Sequence, residues 1–381
     1  MTAPAGLYVH IPFCSAICPY CDFAVTVGRP EKRRAYVAAL RQEMALAQAA
    51  MSFSDTFDTV YFGGGTPSIL ETDELAEILE SLRETFSFND DTRIYLEANP
   101  EDVTPASCDA WQRLGINTLS LGVQSFDDDE LHFLGRRHSG AEARQAVSVA
   151  LAGNFDVVSV DLIYALPGRS AADWRSNLET VVELSPQHLS CYTLEIHERT
   201  TFGKEHARGT LAPLADDTQG DLLVDTHRFL RDAGLPGYEV SNFARAPEHR
   251  SRHNMKYWRH VPYLGLGVGA HSFDGQRRFW NERSLLRYSR ALAANELPRA
   301  GEEQLTLEDR LLETLMLGLR TYDGLDVEQI QDDYGCDLLK TGGERLEALI
   351  RQGVLVLDGG RIKPTIEGLA LADGMAAALA P

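Results

Sequence analysis

Six short apolar stretches, most of them trailed by a segment of helical periodicity, constrain this chain more than any other feature. The first starts at Leu7, and the others cover residues 59–62, 93–97, 118–124, 157–166 and 188–195. Helical spacing of apolar residues marks 31–51, 73–86, a stretch through Trp111, 128–134, 140–152 and 172–184. Such alternation builds a parallel sheet from right-handed βαβ units. Six units fall short of a closed eight-stranded barrel. The expected fold is therefore α/β, an open, partial (β/α)6 barrel. Ligands of such sheets bind at the carboxyl ends of the strands, and the polar residues of this chain collect there. Gly63-Gly64-Gly65-Thr66-Pro67 ends the second strand, Glu97 and Asn99 end the third, Gln124 ends the fourth, and Asp161 lies within the fifth.

Behind the first strand come Cys14, Cys18 and Cys21, at C-x3-C-x2-C spacing. A compact loop of this length turns three sulfurs toward one point, and soft thiolates select an iron–sulfur cluster or zinc over hard cations. Zinc would take His10, four residues upstream, as a fourth ligand. An iron–sulfur cluster would keep one iron open. A disulfide frame is disfavoured, because a long chain whose start, Met-Thr-Ala-Pro-Ala-Gly, lacks a secretory pattern reads as reduced and cytoplasmic. Cys108, Cys191 and Cys336 have no metal-ligand spacing and read as packing residues.

The 381 residues suffice for one large domain and a smaller appendage, and no apolar run reaches the length of a membrane span. The formal charge of -20 opposes nucleic acid and anionic lipid except where a local basic patch overrides it, the nearest being 245–259. Past the sixth strand the pattern loosens. Residues 197–217 read as a charged loop, 222–233 as a helix, and 237–258 as an irregular polar segment. The run 263–271 is glycine-rich and strand-like, allowing close approach of another backbone or a flat ligand. From 305 a separate unit is expected, with helices over 308–320, 327–334 and 338–352. A hairpin over 354–363 and a last helix over 367–379 complete a winged-helix-like α+β module for packing or partner binding. The expected domains are 1–235, 236–304 and 305–381.

Together these motifs resemble the radical S-adenosylmethionine (SAM) superfamily of partial barrels, and within it the oxygen-independent coproporphyrinogen III oxidase group. The resemblance runs nearly end to end. It implies that Cys14, Cys18 and Cys21 hold a [4Fe-4S] cluster whose open iron is chelated by SAM. It also implies that Tyr8 and Tyr20 lie near the sulfonium, and that Gly64, Gly65 and Thr66 take the methionine amino end. Glu97 would receive a charged or hydroxyl end of SAM, Arg136 its carboxylate and Asp161 its ribose, with Gln124 completing the pocket.

Within that group the coproporphyrinogen decarboxylases carry a fourth cysteine two residues past the third. Here that position is Phe23. The loop C-P-Y-C-D-F and the segment His253-Asn254-Met255-Lys256-Tyr257-Trp258 resemble the HemW heme chaperone branch instead. That branch implies heme as a ligand, with His253 as an axial imidazole and Tyr257 and Trp258 as flat faces for the porphyrin. Arg250, Arg252 and Arg259 would meet the propionates. His249, His260 and His271 are rival ligands, and a hydrogen-bonded structural His253 is the plain alternative. Implied partners are apo-hemoprotein acceptors, including respiratory-chain proteins met by peripheral contact at a membrane, and no nucleic acid. Two functions follow: a cytoplasmic carrier that delivers heme, with no catalytic residue assigned, or a radical SAM enzyme acting on a tetrapyrrole.

Overall fold

In the computed structural model, the described residues are 4–50, 54 and 56–380. They divide into two compact units. One holds the chain to 187, 191–213 and 261–303; the other holds 188–190, 214–260 and 304–381.

The first unit is built on the expected parallel sheet. Ala5–Ile11 pairs in parallel with Thr56–Gly64, which pairs with Ser87–Ala98, then Thr118–Gln124, then Val157–Tyr164. His188–Thr193 is the next strand in the order. Leu7, Val9, Ile11, Phe62, Leu96, Leu119, Leu121, Val160 and Leu162 are wholly buried, as expected of parallel strands covered on both faces. The helix Pro30–Ala50 buries Tyr36, Val37, Leu40, Met44 and Ala47, an i, i+3/i+4 stripe; residue 51 of the expected helix lies outside the described residues. Capping boxes at Thr104, Ser139 and Ser170 start three of the crossover helices.

Six strands, however, are not the whole sheet. Tyr263–Leu266, from the glycine-rich run, lies parallel to the first strand on its free side. His271–Phe273 and Arg277–Asn281 then continue it antiparallel, and Arg299–Gln304 forms the outer edge. The join is held by Glu43, which is buried and accepts hydrogen bonds from Gly267 N at 2.7 Å, Tyr288 Oη at 2.6 Å and Asn281 Nδ2 at 2.5 Å. This addition splits the expected middle segment 236–304, because 261–303 belongs with the sheet and 236–260 with the second unit.

In the second unit, His188–Ser190 pairs with Asn242–Ala244. The helix expected over 222–233 is longer, Asp216–Asp232, with aspartates in its first turn. The segment expected to be irregular carries the short helix Arg252–Trp258, capped by Ser251. In the first unit, the loop expected over 197–217 contains the helix Thr201–Ala207. The C-terminal module has the helices Leu307–Gly318 and Val327–Tyr334 and the hairpin of Leu355–Asp358 with Arg361–Pro364, as expected, whereas the third helix, Leu338–Arg351, is kinked at Gly343, which leaves helical geometry at φ 43°. Leu325–Asp326 adds a third strand. The single helix expected over 367–379 is broken into Ile366–Leu369 and Ala372–Leu379, with Leu371 outside helical geometry.

One core of Leu311, Leu315, Leu319, Leu346, Leu355 and Leu379 unites this module. Leu315 is fully buried. Leu315→Ala is expected to destabilise the protein by about 2–5 kcal/mol in chemical denaturation. A loss well under 1 kcal/mol would mean that the module's core collapses around the gap.

Candidate cofactor site

The cysteine loop is closed at its base by main-chain pairing. Phe13–Cys14 pairs in parallel with Thr26–Val27, so Cys14 sits opposite Val27. Phe202 N donates to Pro19 O at 3.0 Å and Cys21 N to Cys18 O at 3.2 Å, which fixes the loop's crown. Burial pushes Cys14 up to about 11, with Cys21 and Cys18 adding to the rise, and burial likewise raises Cys21, with Cys18 adding to it. Burial of this kind favours thiols over thiolates, a cost that a bound cationic cluster removes.

The zinc alternative required His10. Its Nε2 is 2.9 Å from Ala24 O and its Nδ1 is 3.1 Å from Tyr8 Oη, so both ring nitrogens are engaged. Burial holds it neutral, near 4. Among the described residues, no three His, Cys, Asp or Glu side chains converge tightly enough for one bare ion. A cubane cluster spaces its cysteines more widely than one tetrahedral ion does.

Around the loop, the strand ends bring the expected residues together. Gly65 N donates to Ile11 O and Thr66 N to Phe13 O, each at 2.8 Å, locking the glycine turn against the cysteine strand. A Cβ on Gly65 would lie 2.7 Å from Phe13 O and 2.9 Å from Cys14 Sγ, so only glycine fits. Gly64 adopts φ +113°, closed to other residues without strain. The Thr66 side chain, beside the Cys14 sulfur, works against the rise in its pKa. Glu97 is tied on both oxygens, by Tyr61 Oη at 2.8 Å and Gly64 N at 3.2 Å. Arg136 reaches in from the far side: Nη2 donates to Asn99 Oδ1 at 2.7 Å and Gly122 O at 2.6 Å, and Nη1 lies 3.6 Å from Cys18 Sγ. Its buried Nε has no partner, a donor left over for a carboxylate. Asp161 accepts from Ser120 Oγ at 2.9 Å. Tyr20 packs on Phe202 beside Cys18 and Arg136. Gln124 closes its strand in a left-handed conformation, φ 69°.

Three contributors escaped the sequence reading. Tyr61 is the register partner of both Tyr8 and Tyr95, and the three rings form a ladder with centroids 6.2 and 5.3 Å apart. Ser120 and Ser159 are likewise partners, next to Asp161. Strand alternation places Tyr61 on the face of Gly63, a signal present in the sequence; the register that lines up the tyrosines was not.

The buried carboxyl of Glu97 also sets an expected pH dependence. Burial, with Asp161 adding repulsion, pushes its carboxyl up to about 7. The acid is therefore neutral below that value and ionises above it. SAM affinity, if Glu97 receives a cationic or hydroxyl end, is expected to rise with pH by up to about tenfold per unit below 7 and then level off. Calorimetric titration across this range checks it, and Glu97→Gln should flatten the profile.

The heme-motif residues lie in the other unit. His253 is 1 % exposed, and its Nε2 is 2.8 Å from Tyr257 Oη. Burial lowers it to about 3, leaving a neutral imidazole. Tyr257 and Trp258 are half-buried, and Trp258 packs on Tyr238, Ala244 and Met255. The arginines expected for propionates are partly committed: Arg259 is 2.5 Å and Arg250 3.8 Å from Asp323. Of the rival histidines, His260 pairs with Glu313 at 3.3 Å and His271 stacks on Trp280. His249 is half-buried, with an unpartnered Nδ1.

Residues 8–181 match the radical SAM superfamily profile, and 305–371 match the HemN C-terminal domain. The chain is 37% identical over 336 residues to the heme chaperone HemW of Synechocystis sp., covering 86% of this chain and 80% of that one. It is 36% identical over 378 residues to the heme chaperone HemW of Mycobacterium tuberculosis, covering 98% and 94%. The coproporphyrinogen III oxidase HemN of Escherichia coli, a radical SAM enzyme, superposes with a TM-score of 0.84, covering 100% of this chain and 90% of that one, at 24% identity. That likeness is one of fold.

Proposed function

The chain belongs to the radical SAM superfamily and to the HemW family within it, and on that premise we propose that it is a heme chaperone. It binds a SAM-ligated [4Fe-4S] cluster and heme, and delivers heme to apo-hemoproteins. The observation that carries the cofactor half is the convergence of Cys14, Cys18 and Cys21 with the Gly64–Thr66 turn, Glu97 and the spare donor of Arg136.

In this reading the three cysteines hold the cluster, which supplies an open iron for SAM and one-electron chemistry when bound. The chain's own residues do the rest. Gly64, Gly65 and Thr66 bring backbone close to the amino end of SAM, Arg136 receives the carboxylate, and Glu97 a cationic or hydroxyl end. Asp161, steadied by Ser120, meets the ribose, with Gln124 alongside. Tyr8 and Tyr20 wall off water near the sulfonium. His253 offers a neutral imidazole to heme iron once Tyr257 releases its Nε2, and Tyr257 and Trp258 supply faces for the porphyrin. A cytoplasmic location, with acceptors among respiratory-chain hemoproteins met at the membrane surface, belongs to the same reading.

The intact SAM pocket favours one rival, a radical enzyme acting on a tetrapyrrole. Anaerobic protein with SAM, reductant and coproporphyrinogen separates the two. Heme uptake and passage to an apo-acceptor, without protoporphyrinogen, is expected; steady formation of that product would overturn the chaperone reading. His253→Ala is expected to lose the Soret shift seen on heme addition. An unchanged spectrum would move the ligand to another side chain, His249 being the first to test.

A further inference from the structure

The strands added beyond the first one enclose a space against the first helix. Glu43, Ala47 and Ala50 lie on one stripe of Pro30–Ala50, at i, i+4 and i+7. Arg277, Phe279 and Asn281 alternate along Arg277–Asn281, so all three project from one side of that strand. The two sets line a cavity of about 180 Å³, completed by Leu264, Asp274, Leu297 and Arg299, all within the first unit. An engineered apolar cavity of about 150 Å³ accepts benzene, so this one has room for a ring and a small substituent. No residue assigned to the cluster, SAM or heme lines it.

The charged groups of the lining are unequally engaged. Glu43 is 2 % exposed, and both its oxygens already accept, from Gly267 N, Tyr288 Oη and Asn281 Nδ2. Asp274 accepts from Arg277 Nε at 2.9 Å, Arg277 N at 2.7 Å and Gln276 N at 3.0 Å. Arg277 and Asp274 therefore neutralise each other. Arg299 is different. Its Cζ lies 4.3 Å from the centroid of the Phe279 ring, and its ion pair with Glu302 is long, at 3.5 Å. Stacking on the ring orients the guanidinium plane, while the edge that forks onto a carboxylate is barely used. Ala47, Ala50, Leu264 and Leu297 add an apolar wall.

We propose that this cavity binds a small monocarboxylic acid whose apolar body is about one ring in size, with its carboxylate on Arg299. One under-used guanidinium matches one carboxylate, and the bond between them is charge-assisted. Glu43 and Asp274 set the upper limit on charge. A second negative group would meet two acids that already hold their donors, and would be repelled. A neutral ring of the same shape would forgo the bond to Arg299. The small side chains of the helix stripe leave the space into which the body fits. Occupation would bridge the helix and the added strands, and so stabilise the join between them by mass action.

The test titrates the full-length protein with benzoate, with benzamide as its neutral isostere and phthalate as a dianion, by calorimetry and by thermal denaturation. Benzoate is expected to saturate one site per chain with a Kd of about 1 mM or tighter, and to raise the melting temperature. Benzamide and phthalate should each bind at least tenfold more weakly. Arg299→Gln should weaken benzoate tenfold or more. Ala47→Leu, which fills the cavity from the helix side and touches no charge, should weaken it as well. Both variants should keep the circular dichroism, iron and heme uptake of the parent. Heats that do not saturate, or benzoate binding that neither variant alters, would overturn the proposal. Phthalate binding as tightly as benzoate would overturn the choice of a monoacid. Should Arg299→Gln fail to fold, Arg299→Lys keeps the charge without the fork and should still weaken benzoate severalfold; unaltered binding there would count against the site. The outcome is independent of whether the chain holds a cluster or heme.

Discussion

Cys14→Ala is expected to yield colourless protein, with iron and acid-labile sulfide falling from about four of each per chain to near zero. Of the three cysteines proposed as ligands, Cys14 is the most firmly built in. It is 8 % exposed, its strand is laddered to Thr26–Val27, and Thr66 N is bonded to the preceding Phe13 O. Two remaining thiols cannot hold a cubane against hydrolysis, and the pocket loses the open iron to which SAM binds. The same variant should stay folded, because the loop is closed by main-chain bonds and by the Asp22–Arg199 pair rather than by metal. Elemental analysis with circular dichroism checks both halves. Metal retained at parental level would show that Cys14 is not a ligand.

Gly65→Val should be nearly as damaging by another route. The added Cβ would meet Phe13 O, Cys14 Sγ and Ile11 O, all at 3.0 Å or less, and two of these are main-chain atoms with no freedom to retreat. Overpacking of this kind costs about 1–3 kcal/mol. Relief must come from the cysteine strand moving away from the glycine turn. SAM affinity is therefore expected to fall by tenfold or more even where the cluster assembles. Thermal denaturation and SAM titration read the two effects separately. A variant with normal SAM affinity would place the methionine end elsewhere.

Much of this site was legible because its parts are local. The thiol spacing, the glycine run and the acids at strand ends each announce themselves within a few residues, and the βα alternation says which end of the sheet they share. Thr118–Gln124 and Gly140–Ala152 fall where periodicity puts them. What periodicity does not carry is register. The tyrosine ladder and the Asp161–Ser120 pair exist only once strands far apart in sequence are aligned. The strands Arg277–Asn281 and Arg299–Gln304 were hidden, and Tyr263–Leu266 showed only as part of a strand-like run, for a related reason. Glycines at 265, 267 and 269 blur the alternation, and Gly265 is required because a Cβ there would lie 2.1 Å from His271 O. The heme motif was plain as a string of residues, but its aromatic pair reads differently in three dimensions. His253 and Tyr257, one helical turn apart, satisfy each other.

The two-residue ladder at the neck of the cysteine loop has one further consequence. A socket whose rim is already sewn shut does not have to fold around its cargo, so the ordering entropy of the loop is spent when the chain folds. Oxygen that strips the cluster should then leave an empty but intact receptacle rather than an unravelled segment, and refilling becomes a matter of supply rather than of refolding.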